Sequence, residues 1–143
     1  AYDNGDYIFV AMDRHDEGDT FHPETKLFPP HNIAGTSGRE LYGKLAGVYD
    51  AIKDDNRVFW MDKRHYSAFS GTDLDIRLRE RRVTTVVLTG VLTDICVLHT
   101  AIDAYNLGYD IEVVASATAS LTPEAHDFAI GHFKNVLGAT IVE

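Results

Sequence analysis

One cysteine, one lysine and a loop crowded with histidines and carboxylates carry the reactive chemistry of this sequence. Cys96 closes the segment Thr89-Gly90-Val91-Leu92-Thr93-Asp94-Ile95-Cys96, which reads as a strand, a turn and the first turn of a helix. A sulfur at such a place lies near unpaired backbone N–H groups and the positive end of a helix dipole, which favour thiolate over thiol. The same N–H groups can hold an oxyanion formed when the sulfur attacks a carbonyl. The plainer alternative is a small buried hydrophobe. Lys63 follows the run Val58-Phe59-Trp60-Met61-Asp62. Alone it reads as a solvated charge; beside Cys96 it would be a fixed cation supporting the thiolate.

The third group is Asp13, His15, Glu24 and His31. Asp13 and His15 stand two apart at a strand end, so their side chains can point to the same side. Glu24 and His31 lie on the long loop that follows and can fold back. Two imidazoles with one or two carboxylates suit zinc or a similar divalent ion, with room for water. Asp16, Glu17, Asp19 and His22 crowd the same loop, and the rival reading is an ordinary solvated acidic loop. Arg77, Arg79, Arg81 and Arg82 with Glu80 form a charge run on a helix, its solvated face or a subunit contact. His99, His126 and His132 fall on helices without a partner at ligand spacing. Phe28, Trp60, Tyr66 and Phe69 are of the type that fills cores, although Phe28 and Tyr66 stand close in sequence to the chemical candidates. No glycine-rich phosphate loop is present, so no nucleotide cofactor is expected.

The elements that must position these groups follow from periodicity. Apolar runs predict strands over residues 7–12, 58–61, 85–89, 111–115 and 140–142, with Gly90 breaking the third. Ser37 and Glu40 have capping-box spacing ahead of Leu41, Leu45 and Val48, predicting a helix there. Further helices are expected over 74–82, over 94–107 with Thr93 as N-cap and Gly108 at the end, and from Thr122-Pro123 to Gly138. Strands alternating with helices, and apolar on both faces, mean a three-layer α/β/α fold with a mostly parallel sheet. Ligands of such sheets bind beyond the carboxyl ends of the strands. Asp13, Lys63 and Cys96 all fall there.

Length and composition agree with one domain. The chain has 143 residues, 13 Lys+Arg and 22 Asp+Glu, for a net charge of −9. Such a surface argues against nucleic acid or an anionic membrane as partner. One cysteine cannot make an internal disulfide, so a reducing cytoplasm is the expected setting. No apolar run approaches the roughly 20 residues that span a bilayer. The chain opens at Ala1, directly before the turn-like Asp3-Asn4-Gly5, which reads as a missing beginning.

Several motifs together resemble the nicotinamidases of the isochorismatase-like cysteine hydrolase superfamily, essentially over the whole length. They are Met12-Asp13-Arg14-His15, His22-Pro23-Glu24, Phe28-Pro29-Pro30-His31, the stretch from Asp62 to Phe69, and Gly90-Val91-Leu92-Thr93-Asp94-Ile95-Cys96-Val97. The last two point to the superfamily, and the first three, with the metal set, to nicotinamidase. The resemblance implies Cys96 as nucleophile and Lys63 as its cationic partner. It implies Asp13, His15 and His31 as zinc-type ligands, with Glu24 in or just outside the ligand set. It places Phe28 and Tyr66 near the bound ring, and the backbone N–H groups of Leu92 and Cys96 at the oxyanion, beyond a cis Val91–Leu92 peptide. The implied substrate is nicotinamide, its pyridine nitrogen on the ion, and the implied assembly a homo-oligomer. The superfamily's proton-carrying aspartate ends a first strand that, on this numbering, precedes Ala1, and no residue here matches it. The alternatives are a binding domain without turnover, and a hydrolase of another small amide such as pyrazinamide.

Overall fold

A computed structural model describes residues 1–143. The apolar runs on either side of the first long loop form parallel neighbours, β1 (Ile8–Asp13) and β2 (Val58–Lys63). They pair in unbroken register from Ile8 opposite Val58 to Asp13 opposite Lys63. Phe9 and Phe59, directly opposite, stack with ring centres 4.8 Å apart. Between them run a loop with short 3₁₀ turns at Pro23–Lys26 and Ser37–Arg39, then α1 (Lys44–Ile52). The expected capping box does not form. Ser37 opens its own 3₁₀ turn, and α1 begins only after Gly43, whose φ of 59° suits a residue without a side chain.

The remaining elements are α2 (Leu74–Glu80), β3 (Thr85–Val91), α3 (Leu98–Asn106), β4 (Asp110–Ala119), α4 (Pro123–Asn135) and β5 (Thr140–Val142). β3, β4 and β5 make a second parallel sheet in that order. The fold is thus α/β with parallel sheets and helices. Gly90 does not end β3. The register with β4 shifts between Leu88 and Gly90, then resumes with Gly90 opposite Thr118 and Val91 opposite Ala119. Gly90 takes a φ of 111° at this irregularity, where glycine is commonly found. The resumed pairing also carries β4 on to Ala119, past the expected end. The Val91–Leu92 peptide is cis.

Contacts divide the chain into two compact units, Ala1–His65 and Tyr66–Glu143. In the second, Val113, Ala101, Ala104, Ala129 and Phe133 are fully buried, where α3 packs on β4 and α4 on β4 and β5. That apolar core follows the helical and strand periods. In the first unit the buried side chains are Val58 and Met61 together with four polar ones, His15, His22, Glu24 and Lys63. No helix is long and apolar enough to cross a membrane.

Candidate functional site

Parallel register sets the first part of the site. Asp13 and Lys63 are the last residues of paired strands, so their side chains leave the same sheet edge, and the Lys63 ammonium donates to the Asp13 carboxylate. Lys63 also donates to the His65 carbonyl at 2.9 Å and is 5% exposed. Burial at that level is tolerated for an ammonium group because its charge is paired. Arg39 braces this end of β1, its Nε donating to the Asp13 carbonyl (3.0 Å) and its Nη2 to Asp62 (2.5 Å).

Beyond β1 the loop folds back on its own start. His15 donates its backbone N–H to Asn32 (3.1 Å) and accepts from the Ala34 N–H (2.8 Å), a parallel bridge opposite Ile33. This closure brings the His31 ring to 4.3 Å from the His15 ring. The 3₁₀ turn at Pro23–Lys26 brings in the other two groups, with the His22 ring 4.0 Å from that of His15. The Glu24 carboxylate lies 3.7 Å from His15 Nε2 and 3.5 Å from His31 Nε2. Ligand atoms of His15, His22 and Glu24 all lie within 4.8 Å of one another. Bonds of about 2 Å at tetrahedral angles put the donors of one ion about 3.3 Å apart, so the Glu24 separations of 3.7 Å from His15 Nε2 and 3.5 Å from His31 Nε2 are close to what one ion requires.

The electrostatics fit the same occupant. Burial pushes the His15 pKa down, and the neighbouring His22 and His31 push it further, against the pull of Asp13, so folding favours the neutral ring. The neutral imidazole is the form that binds metal. Both its ring nitrogens are buried without a hydrogen-bond partner. Burial raises the Glu24 carboxyl, and Asp13 adds to that, against the pull of His31, His22 and Lys63. A divalent cation would reverse that penalty. His31 is already oriented. Its Nδ1 lies 2.9 Å from the Pro29 carbonyl, which can only accept, so the proton sits on Nδ1 and the Nε2 lone pair faces the cluster. Phe28 stands edge-on to His31, ring centres 6.4 Å apart. These residues fit a zinc-type ion.

In the second unit, Cys96 sits in a π-helical turn, Thr93–Val97, immediately ahead of α3. The turn widens because the Val97 N–H reaches back to the Leu92 carbonyl at 3.1 Å. Such turns recur at functional sites. Thr93 is therefore not the N-cap expected of it. It is fully buried, and its hydroxyl lies 3.0 Å from His126 Nδ1 on α4. Asp94 accepts from the Ser120 hydroxyl (2.6 Å) just past β4. The Cys96 carbonyl accepts from Thr100 Oγ1 (2.7 Å), which in turn accepts from the Ala68 N–H (3.0 Å). Cys96 is half-buried and in no disulfide. Tyr66 lies against His99, ring centres 5.1 Å apart. The turn is thus held from α4, from β4 and from the loop ahead of α2. In that loop's helix the arginine run is largely self-contained, with Arg77 paired to Asp73 and Arg79 to Asp75.

The isochorismatase domain family matches residues 3–142. The chain belongs to the isochorismatase family. Within that family, a Bacillus subtilis protein described as an uncharacterized isochorismatase family protein, PncA, is 55% identical over 98% of this chain and 76% of its own length. The crystal structure described as pyrazinamidase/nicotinamidase from Streptococcus mutans is 80% identical, with a TM-score of 0.98, over 99% of this chain and 78% of that one. A pyrazinamidase of Pyrococcus horikoshii in complex with zinc is 28% identical, with a TM-score of 0.83, over 99% of this chain and 78% of that one.

Of the residues singled out by sequence in this isochorismatase family member, His15, Glu24 and His31 are brought together. Asp13 stands beside them, engaged with Lys63. His22, one of the polar residues that crowd the loop and not among the expected ligands, is 3% exposed and part of the cluster. It stands in the His22-Pro23-Glu24 motif, and Pro23 is a local signal as well, since a polar residue before a proline is a frequent helix start.

Proposed function

We propose that this chain is an amidohydrolase that converts nicotinamide, and related small aromatic amides such as pyrazinamide, to the carboxylate and ammonia. The observation that carries this reading is the likeness to the Streptococcus mutans pyrazinamidase/nicotinamidase, 80% identical over 99% of the chain. The composition of the histidine cluster supports it from the side of chemistry. An ion held by Asp13, His15, Glu24 and His31 supplies a Lewis-acidic point suited to a pyridine-type nitrogen. Phe28 and Tyr66 are assigned to the flanks of the ring.

In this reading Cys96 is the nucleophile. Its thiolate sulfur adds to the amide carbon, with the N–H groups of Leu92 and Cys96 donating to the oxyanion. The C–N bond then breaks, the nitrogen leaves as ammonia after taking up a proton, and a thioester remains. Water attacks the thioester and returns the carboxylate and the thiol. Lys63 is the cation that favours the thiolate. No residue of this chain is assigned the proton transfers. The reaction would belong to salvage of the pyridine nucleotide.

Ammonia release from nicotinamide and pyrazinamide, with mass spectrometry of the acid-quenched protein, tests the assignment. Cys96→Ala is expected to abolish both the acyl adduct and turnover. Parental ammonia release from that variant would show the nucleophile to be another group.

A further inference from the structure

The two histidines that flank Glu24 are set in opposite tautomers. His31 places its proton on Nδ1 and presents the Nε2 lone pair, as described above. His22 does the reverse. It caps the Pro23–Lys26 turn, and its Nδ1 accepts the Glu24 backbone N–H at 3.2 Å. An Nδ1 that accepts carries no proton, so in the neutral ring the proton is on Nε2. That Nε2–H is buried, has no partner, and belongs to a ring packed 4.0 Å from His15. A nitrogen that carries a proton has no lone pair to give a metal.

We propose that His22 is a positioning residue of the ion site and not one of its ligands: its Nε2–H donates to an oxygen atom bound to the ion. The cap fixes the tautomer, the tautomer makes Nε2 a donor, and the donor finds its acceptor when the ion brings an oxygen into the cluster. Histidine here joins the fold of the loop to occupancy of the site, because the bond that starts the 3₁₀ turn also sets which ring nitrogen holds the proton. The inference rests on the reading that the cluster holds a divalent ion.

Two substitutions divide the ring between its atoms. His22→Asn keeps an acceptor near Nδ1, and so the cap, but removes the distant donor. His22→Gln loses the cap but reaches with an N–H toward the place of Nε2. Zinc affinity is read by competition with a chromophoric chelator, and nitrogen ligands are counted by X-ray absorption of the zinc-loaded protein. The expected result is affinity about 10–100-fold weaker in His22→Asn with the parental nitrogen count, and within about threefold of the parent in His22→Gln. Parental affinity in His22→Asn would reduce His22 to a cap and overturn the proposal. Loss of one nitrogen in His22→Asn would make it a ligand and overturn it equally. If the parent protein itself bound no zinc, the ion reading would fall, and this inference with it.

Discussion

Replacing His15 with leucine separates what the loop needs in order to fold from what it needs in order to bind an ion. Both ring nitrogens of His15 are buried without a hydrogen-bond partner, and the residue is 9% exposed. An unpartnered buried polar atom costs about 1–3 kcal/mol, so two together weigh of order 2–6 kcal/mol against the ion-free fold. Leucine, of similar bulk, carries no such penalty, and imperfect shape would take back about 1–3 kcal/mol. The backbone bridge to Asn32 and Ala34 is unaffected by the change. In a chelator, His15→Leu is therefore expected to be at least as stable as the parent, and more stable by about 1–3 kcal/mol if the leucine packs well. With zinc the order reverses. The parent gains about 2.7 kcal/mol at free zinc a hundredfold above its Kd, and the variant gains much less. Urea unfolding followed by fluorescence reads this directly, because the one tryptophan, Trp60, lies on β2 in the same unit. A loss of more than about 2 kcal/mol in chelator would mean that the ring nitrogens are compensated in the ion-free fold. Equal stabilisation of both proteins by zinc would mean that His15 is no ligand.

Two further expectations concern the unit that carries Cys96. Thr93→Val removes the hydroxyl beside His126 while keeping the shape. His126 is half-exposed and water can replace the lost partner, so the cost is expected near 1 kcal/mol in urea unfolding; a loss above about 3 kcal/mol would show that the bond is not replaceable by water. Tyr109, buried and donating to Asp75 at 2.7 Å, has its pKa raised to about 12 by burial and by that carboxylate. A raised folded-state value means that the neutral phenol is favoured by folding. Its contribution is complete below the ordinary tyrosine value near 10 and is lost as pH rises from there through about 12. Stability measured from pH 8 to 11.5 should fall more steeply in the parent than in Tyr109→Phe, and parallel curves would refute the assignment.

How much of this was legible in the sequence depended on how far each determinant reached along the chain. Thr122 and Pro123 announced α4 correctly, and the Thr122 hydroxyl does accept the Ala125 N–H at 3.2 Å. A cap is completed within four residues, so local chemistry suffices. Ser37 and Glu40 had the same kind of spacing and made no box, because the chain there is drawn across to β1 by Arg39, which binds the Asp13 carbonyl and Asp62. Gly90 looked like a strand end, but a partner strand 28 residues later in sequence recaptures it opposite Thr118. The π-helical turn was likewise invisible, since Thr93 and Asp94 are engaged by His126 and Ser120 rather than by their own turn.

The sequence by itself determined the alternation of strands and helices, the parallel pairing this requires, and the residue types at the strand ends. Those follow from apolar period and from short-range capping, which neighbouring residues carry between them. Only the tertiary structure decided that Asp13 answers Lys63, that the loop closes so that His31 meets His15, and that His22 is enclosed with a fixed tautomer. Each of these depends on backbone register or on a hydrogen bond whose geometry has no period in sequence, so the residues that compose the cluster were visible before the arrangement that gives them their chemistry.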